Sequence, residues 1–297
     1  MRKSKRGRAR TLIIIASFGL VVFVVLMIGG VRLTISNSEK LDEEILNQVV
    51  INSPNVTLGS RIKADTGMFK GQFIYKQHKD IDGYIIPWSD IIGNYGIWNA
   101  DSVGRAQLNN SNGILDFVEG TGQKMMKFYK QEVSYKVLSN DVAQVSLETN
   151  RVMEMAISFD QKYTLAEIQT KVPTNLNVAW LWLDEKNNAG QVEALTPDLV
   201  YGFDGIQKQN EQVTDDKVLE GNYNNFISSL EMLAEESDEI DALFTKYSKQ
   251  NLKQVRFKGI ILTGQEKNFY SLASATFIRA SEIGAVAEII PYITPYK

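Results

Sequence analysis

TLIIIASFGLVVFVVLMIGGV, residues 11–31, contains no charged residue and no proline. An α-helix of this length rises about 30 Å, which matches the thickness of the hydrocarbon core of a bilayer. Its Leu, Ile, Val and Phe side chains each favour insertion by about 0.3–0.6 kcal/mol, and no charge opposes them. We therefore predict a transmembrane helix over Thr11–Val31. The next question is which side of the membrane each flanking segment occupies.

The residues before this run are strongly basic. The segment MRKSKRGRAR (1–10) contains no acid, and its basic residues are the predicted topology-determining residues: Arg2, Lys3, Lys5, Arg6, Arg8 and Arg10. Because positively charged flanks stay in the cytoplasm, the sequence predicts a cytoplasmic tail over 1–10. The chain then crosses the cell membrane once, with its C-terminal domain outside. Anionic lipids of the bilayer would also attract the tail.

A cleaved signal peptide also begins with basic residues, and it is the competing interpretation. Its apolar core is usually about 7–15 residues long and is followed by a small-x-small cleavage site. Here the run is longer, and Met27 and Ile28 stand before Gly29 and Gly30, where small residues are required. The sequence favours an uncleaved anchor.

Composition limits the chemistry of the outer part. The chain has no cysteine, which excludes disulfides, Cys-ligated metals and thiol catalysis and fits a Gram-positive envelope protein. After the basic start, acids outnumber bases, which argues against nucleic acid as a partner. The one histidine, His78, lies in the polar stretch YKQHKD and is interpreted as a surface residue. We predict a non-enzymatic protein with no catalytic residue, no cofactor and no metal site.

Apolar patterning predicts two regions directly after the membrane run. Residues 32–66 are polar and acidic, and we interpret them as a stalk with one short helix near Leu41–Val50. Residues 67–143 alternate aromatic and β-branched residues with polar ones between Gly, Asn and Asp, which predicts a β-rich segment. Turns are expected at Asp82-Gly83, Asn112-Gly113 and Gly120–Gly122.

Residues 144–297 mix both periodicities and predict an α+β domain with helices on a mostly antiparallel or mixed sheet. Thr164-Leu-Ala-Glu167 has the form of a capping box and predicts a short helix that ends before Pro173. The longest helical pattern runs from Phe226 to Tyr247, with acids on its other face. Strands are predicted at 145–159, 177–184, 255–264 and 276–279, with a helix near 266–274 and a closing extended segment.

Trp180 and Trp182 are the only partner-binding candidates that the pattern suggests. Both lie on one face of the predicted strand NVAWLWLD (177–184). Packing in the core is the favoured interpretation, and the alternative is an exposed pair of indoles that stacks on a sugar or anchors a peptide.

Several of these segments carry a family resemblance. NVAWLWLD, VYGF (200–203) with NFISSLEML (225–233), and FKGIILTG (257–264) with IRASEIGAV (278–286) resemble the C-terminal domain of the sigma factor regulator family of Firmicutes. The basic start, the single span, PNV (54–56) and YKQHKDIDGYIIPW (75–88) resemble its N-terminal region.

The resemblance implies a membrane-anchored, anti-sigma-factor-like regulator of an extracytoplasmic-function sigma factor, with an outer domain that senses or docks a signal. Residues 1–10 cannot bury the roughly 1,200–2,000 Å² of a stable protein–protein interface. The expected partner is therefore a second membrane protein, and contact with the sigma factor is indirect. The alternatives are an envelope binding or scaffold protein without a transcriptional role, and a cell-wall hydrolase, which needs paired carboxylates or a metal in one cleft.

Overall fold

The computed structural model describes residues 2–104, 107–109, 116–118, 121–183, 193–206 and 215–297. The α-helices are α1 (Arg2–Asn52), α2 (Leu165–Lys171), α3 (Asp215–Leu233) and α4 (Asp238–Tyr247). The strands are β1 (Thr57–Gly67), β2 (Lys70–Ile81), β3 (Tyr84–Gly96), β4 (Ala100–Gly104), β5 (Gln107–Asn109), β6 (Asp116–Val118), β7 (Arg151–Thr164), β8 (Asn177–Leu183), β9 (Gly202–Ile206), β10 (Arg256–Gln265) and β11 (Ile278–Glu288). Short 3-10 helices cover Asp141–Gln144, Pro197–Leu199, Ala234–Glu236, Leu252–Gln254 and Glu266–Leu272. The predicted α+β class with an N-terminal apolar helix is confirmed.

Helix α1 contains the whole apolar run, and its most apolar window is exposed. In the part of the chain that the structure describes, it is the one helix long and apolar enough to cross a membrane. The helix continues to Asn52 because no glycine or proline interrupts it between Arg32 and Asn52. The short helix expected near 41–50 is therefore the end of α1. The predicted domain limits at 66 and 143 stay predictions.

The chain divides into two compact units. Unit 1 comprises residues 1–43, 61–74 and 91–103, and unit 2 comprises residues 44–60, 75–90 and 104–297. Strands β1 to β4 form a four-stranded sheet in that order. The turn predicted at Asp82-Gly83 is confirmed: both residues have positive φ (55° and 94°), as the two-residue turn of a β-hairpin requires. The turn expected at Asn112-Gly113 lies outside the described residues.

Unit 2 is built on a five-stranded sheet in the order β11-β7-β10-β8-β9, in which neighbouring strands are antiparallel. Strand β10 lies in the centre of the sheet and is buried from Phe257 to Gly264. Helices α3 and α4 bury Phe226, Leu230 and Leu243 in the larger core of this unit. The predicted segments 276–279 and the closing stretch merge into the single strand β11.

The capping box is confirmed at α2. The Thr164 backbone N–H donates to Glu167 Oε2 at 2.7 Å, and the Thr164 hydroxyl oxygen accepts a hydrogen bond from the Glu167 backbone N–H at 3.4 Å. The single helix expected over 226–247 is wrong, because Ser237 is extended (φ −154°) and caps α4. Serine followed by acids in the first turn favours a new helix start at this position.

Candidate functional site

A buried ion pair lies inside unit 2. Lys79 on β2 and Glu154 on β7 are 1% and 0% exposed, and Lys79 Nζ lies 2.6 Å from Glu154 Oε1. Removing two charges from water costs several kcal/mol for each ion, so such a pair persists only where further groups satisfy it.

Those further groups come from three other segments. Asn55 Nδ2 donates to Glu154 Oε2 at 2.8 Å, and the Ala285 backbone N–H donates to Oε1 at 3.1 Å. On the other side, Lys79 Nζ lies 4.2 Å from the centre of the Trp88 ring. The carboxylate therefore has three donors, and the ammonium has a carboxylate and a π face. We call these five residues the Glu154 junction.

The junction joins distant parts of the sequence. Asn55 follows the end of α1 and takes a left-handed conformation (φ 53°), which asparagine tolerates better than most residues. Lys79 and Trp88 come from the β2–β3 hairpin, whereas Glu154 and Ala285 come from neighbouring strands of the five-stranded sheet. Gly284 is required beside it, because a Cβ there would lie 2.6 Å from Glu154 Oε1.

The turn of the same hairpin carries a second buried carboxylate. Asp82 Oδ1 accepts from Asn177 Nδ2 at 2.8 Å and from the Lys297 backbone N–H at 3.1 Å. Asp82 Oδ2 and Asn177 Oδ1 are buried without a hydrogen-bond partner. Burial raises the pKa of Asp82 to about 6, and the nearby charge of Asp80 also raises it, although the bonds from Asn177 and Lys297 act in the opposite direction.

We expect Asp82→Asn to remove a pH-dependent loss of stability. As the pH rises above 3.8, the unfolded chain loses this proton before the folded chain does, so the parent loses stability up to a pH of about 6. Over this pH range the free energy of unfolding of the parent falls by about 3 kcal/mol. The variant should therefore unfold at a higher temperature than the parent at about pH 8, and the difference should shrink toward about pH 4. Thermal unfolding of the full chain in detergent measures it.

The control for this prediction is Asp90→Asn, which removes a partly exposed carboxylate from β3. Its effect should stay within about 1 kcal/mol at both pH values, because exposed ion pairs contribute little. A difference between parent and Asp82→Asn that does not change with pH would contradict the prediction.

Trp180 and Trp182 lie inside unit 2 and are 1% and 0% exposed. Their rings pack against Phe128, with ring centroids 6.1 Å and 5.3 Å from it. Phe128 is held in place by paired backbone hydrogen bonds with Leu195. Neither indole face is available to a partner in this arrangement.

The other predicted positions carry no assembled chemistry. Arg10, the last of the topology-determining residues, is exposed on α1. His78 is half-buried on β2. Within the described ranges, no group of three or more His, Cys, Asp or Glu side chains is arranged to hold a metal ion.

A shallow depression of about 490 Å³ lies where β7 begins and β11 ends. Its lining is Thr149, Asn150, Arg151, Glu288 and Ile289. Two of its polar side chains bond within the protein: Asn150 Nδ2 donates to the Ile289 carbonyl, and Arg151 Nε donates to Glu266 at 2.9 Å. We assign it no chemistry.

Comparison with protein families explains which segments the Glu154 junction joins. Residues 1–86 match the sigma factor regulator N-terminal family and residues 145–285 match the sigma factor regulator C-terminal family. The chain belongs to the sigma factor regulator family. Searches of curated proteins and of solved structures gave no match. Asn55 and Lys79 lie in the first matched segment, and Glu154 and Ala285 lie in the second, so the junction links the two matched segments of this sigma factor regulator.

Family membership gives the chain a role in regulating a sigma factor, and the apolar helix α1 fits a single-pass membrane anchor. The family is a regulatory one. Sequence reasoning missed Asn55, Lys79 and Glu154 as a group. One signal was present, because Glu154 is a lone charge inside the apolar run VMEMAISF and therefore needs a buried partner.

Proposed function

We propose that this sigma factor regulator is the extracytoplasmic sensing or docking subunit of a membrane complex that inhibits an extracytoplasmic-function sigma factor. It acts by binding and not by catalysis. Its N-terminal tail lies in the cytoplasm, and its two folded units lie on the outer side of the cell membrane. This proposal rests on helix α1, which continues from the membrane run into the core of unit 2.

The end of α1 is built into unit 2. Ile51 is 0% exposed and belongs to the larger core of this unit. The turn that follows brings Asn55 onto Glu154 at 2.8 Å. Because no glycine or proline interrupts α1 between Arg32 and Asn52, a change in the packing around Ile51 can be passed along this part of the helix toward the membrane run. This connection supports a regulator that passes an external state to the membrane.

In this proposal both folded units lie on the outer side of the cell membrane, so their contact with a cytoplasmic sigma factor has to be indirect. We therefore propose that a second membrane protein holds the sigma factor in the cytoplasm. Helix α1 would contact that partner within the bilayer.

The test is the transcript profile of a deletion strain compared with that of the parent strain. We expect induction of a set of genes that share one promoter type, and we expect the intact chain to reverse it. Affinity purification of the full chain from membranes should then recover a membrane protein that itself binds the sigma factor. An unchanged profile during growth and envelope stress would contradict the regulatory role.

Deleting residues 2–10 should disturb the orientation of the chain more than the folding of its outer part. The deletion removes Arg2, Lys3, Lys5, Arg6, Arg8 and Arg10, which retain the N-terminus in the cytoplasm. Protease added to intact cells should digest the folded units of the parent and leave a protected fraction in the variant. Replacing the same residues by a neutral segment of equal length separates charge from length. An unchanged orientation in both variants would contradict the prediction.

A further inference from the structure

Two strand connections of unit 1 contact α1 at the outer end of its apolar run. The β1–β2 connection places Phe69 against Gly30, where a Cβ would lie 3.0 Å from the Phe69 ring and 3.4 Å from Ile97. Gly30 is therefore a point of close approach between the helix and both connections.

Hydrogen bonds fix both connections to the same face of the helix. The Thr34 hydroxyl lies 2.9 Å from the Gly30 carbonyl and 3.3 Å from the Phe69 carbonyl, and it donates toward both. Asn37 Nδ2 donates to the carbonyl of Gly96 at 2.7 Å and to that of Ile97 at 3.1 Å. The connections are thus anchored along one face of α1.

This position corresponds to the interfacial layer of a bilayer. Gly30 is the last residue but one of the apolar run Thr11–Val31. Asn37 lies about 10 Å further along the helix axis, at about 1.5 Å per residue. The polar layer on each side of the hydrocarbon core is about 5–8 Å deep. The segment between these two contacts therefore spans the headgroup region.

Two large apolar side chains on these connections are mostly exposed. Trp98 is 91% exposed and Met68 is 72% exposed. Tryptophan is enriched at membrane–water interfaces, where its ring contacts lipid and its N–H reaches water or headgroups. Exposed Lys70 lies two residues after Met68, and exposed Arg32 lies two residues after Gly30 on α1; both suit anionic headgroups.

We propose that the β1–β2 and β3–β4 connections insert into the lipid interface, with Trp98 and Met68 among the headgroups of the leaflet nearest unit 1. Unit 1 then rests on the membrane at two points beside the helix. This inference requires α1 to lie in a bilayer and is independent of any role in transcription.

The test uses the full chain in phosphatidylcholine and phosphatidylglycerol vesicles that contain lipids brominated near the headgroup end of the acyl chains. The chain has four tryptophans, and Trp88, Trp180 and Trp182 are all at most 5% exposed. Bromine should therefore quench mainly Trp98. We expect Trp98→Phe to lose most of the lipid-dependent quenching, and we expect aqueous iodide to quench the parent no more than it quenches this variant.

A matched reference comes from Tyr292→Trp in the Trp98→Phe background. Tyr292 is 84% exposed, and its replacement is another aromatic residue, so this variant gives the iodide quenching of an exposed indole in this chain. Equal bromine quenching in the parent and in Trp98→Phe would overturn the proposal. Shielding of Trp98 from both bromine and iodide would also overturn it, because a second copy or another protein would then cover this surface.

Discussion

Replacing Lys79 by methionine should destabilise the folded chain by about 3–5 kcal/mol, because it leaves the buried charge of Glu154 without its counterion. The two side chains are 1% and 0% exposed, so water cannot replace the lost ammonium. Asn55 Nδ2 and the Ala285 N–H remain, but neither carries a charge. Thermal unfolding of the full chain in detergent should show a midpoint lower by about 10 °C.

Two variants separate this effect from the loss of any lysine. Lys76→Met lies on the same strand and breaks an exposed ion pair with Asp90, and it should cost less than about 1 kcal/mol. The double variant Lys79→Met with Glu154→Met removes both buried charges and should recover part of the loss, because two apolar side chains of similar length can fill the site. Equal midpoints for Lys79→Met and Lys76→Met would show that the buried pair is not important for stability.

The Glu154 junction also leads to a prediction about regulation. If α1 transmits the state of unit 2, then a variant that loosens Asn55 from Glu154 should alter regulation while the protein stays in the membrane. Glu154→Gln keeps the volume but leaves one acceptor oxygen for the three donors, so its amide N–H groups must face either Asn55 Nδ2 or the Lys79 ammonium. In the deletion strain this variant should restore repression less completely than the intact chain does, at equal membrane levels of the two proteins.

Local patterns predicted much of the fold. The alternation in residues 69–77 (FKGQFIYKQ) of the predicted β-rich segment, the capping box at Thr164 and Glu167, and the turn at Asp82-Gly83 are each determined by residues that are close in the sequence. The break between α3 and α4 was missed because the apolar spacing runs on from Leu233 to Ile240. Helical periodicity indicates which face is buried, but it does not reveal a capping serine in the middle of the pattern.

The Glu154 junction could not be located from local patterns. Its residues lie at positions 55, 79, 88, 154 and 285, in a turn and in two different sheets, and only the packing of these elements brings them together. Lys79, which faces inward, and the lone Glu154 each need a group of opposite charge. Period-2 patterns do not indicate which strand supplies that group. Alternation also placed Trp180 and Trp182 on one strand face without revealing that Phe128 covers that face.

The second large effect is expected for Trp182→Ala. Trp182 is 0% exposed, its ring centroid lies 5.3 Å from that of Phe128, and a Cβ at Gly259 would lie 2.9 Å from its ring. Truncation leaves a cavity that these backbone-fixed neighbours cannot fill, so we expect a loss of about 3–5 kcal/mol. Tyr292→Ala, at an 84% exposed aromatic, should leave the unfolding midpoint within about 0.5 kcal/mol of the parent.

This measurement decides between the two interpretations of the tryptophan pair. A core residue loses stability on truncation, and any loss of partner binding then follows the loss of folded protein. A binding residue behaves in the opposite way: Trp182→Ala would keep the unfolding midpoint of the parent and lose recovery of the membrane partner. Because Phe128 and the paired Leu195 segment lie over the indoles, a partner could reach them only after that segment moves away. Protease sensitivity of the segment around Phe128, measured with and without the partner, would detect that movement.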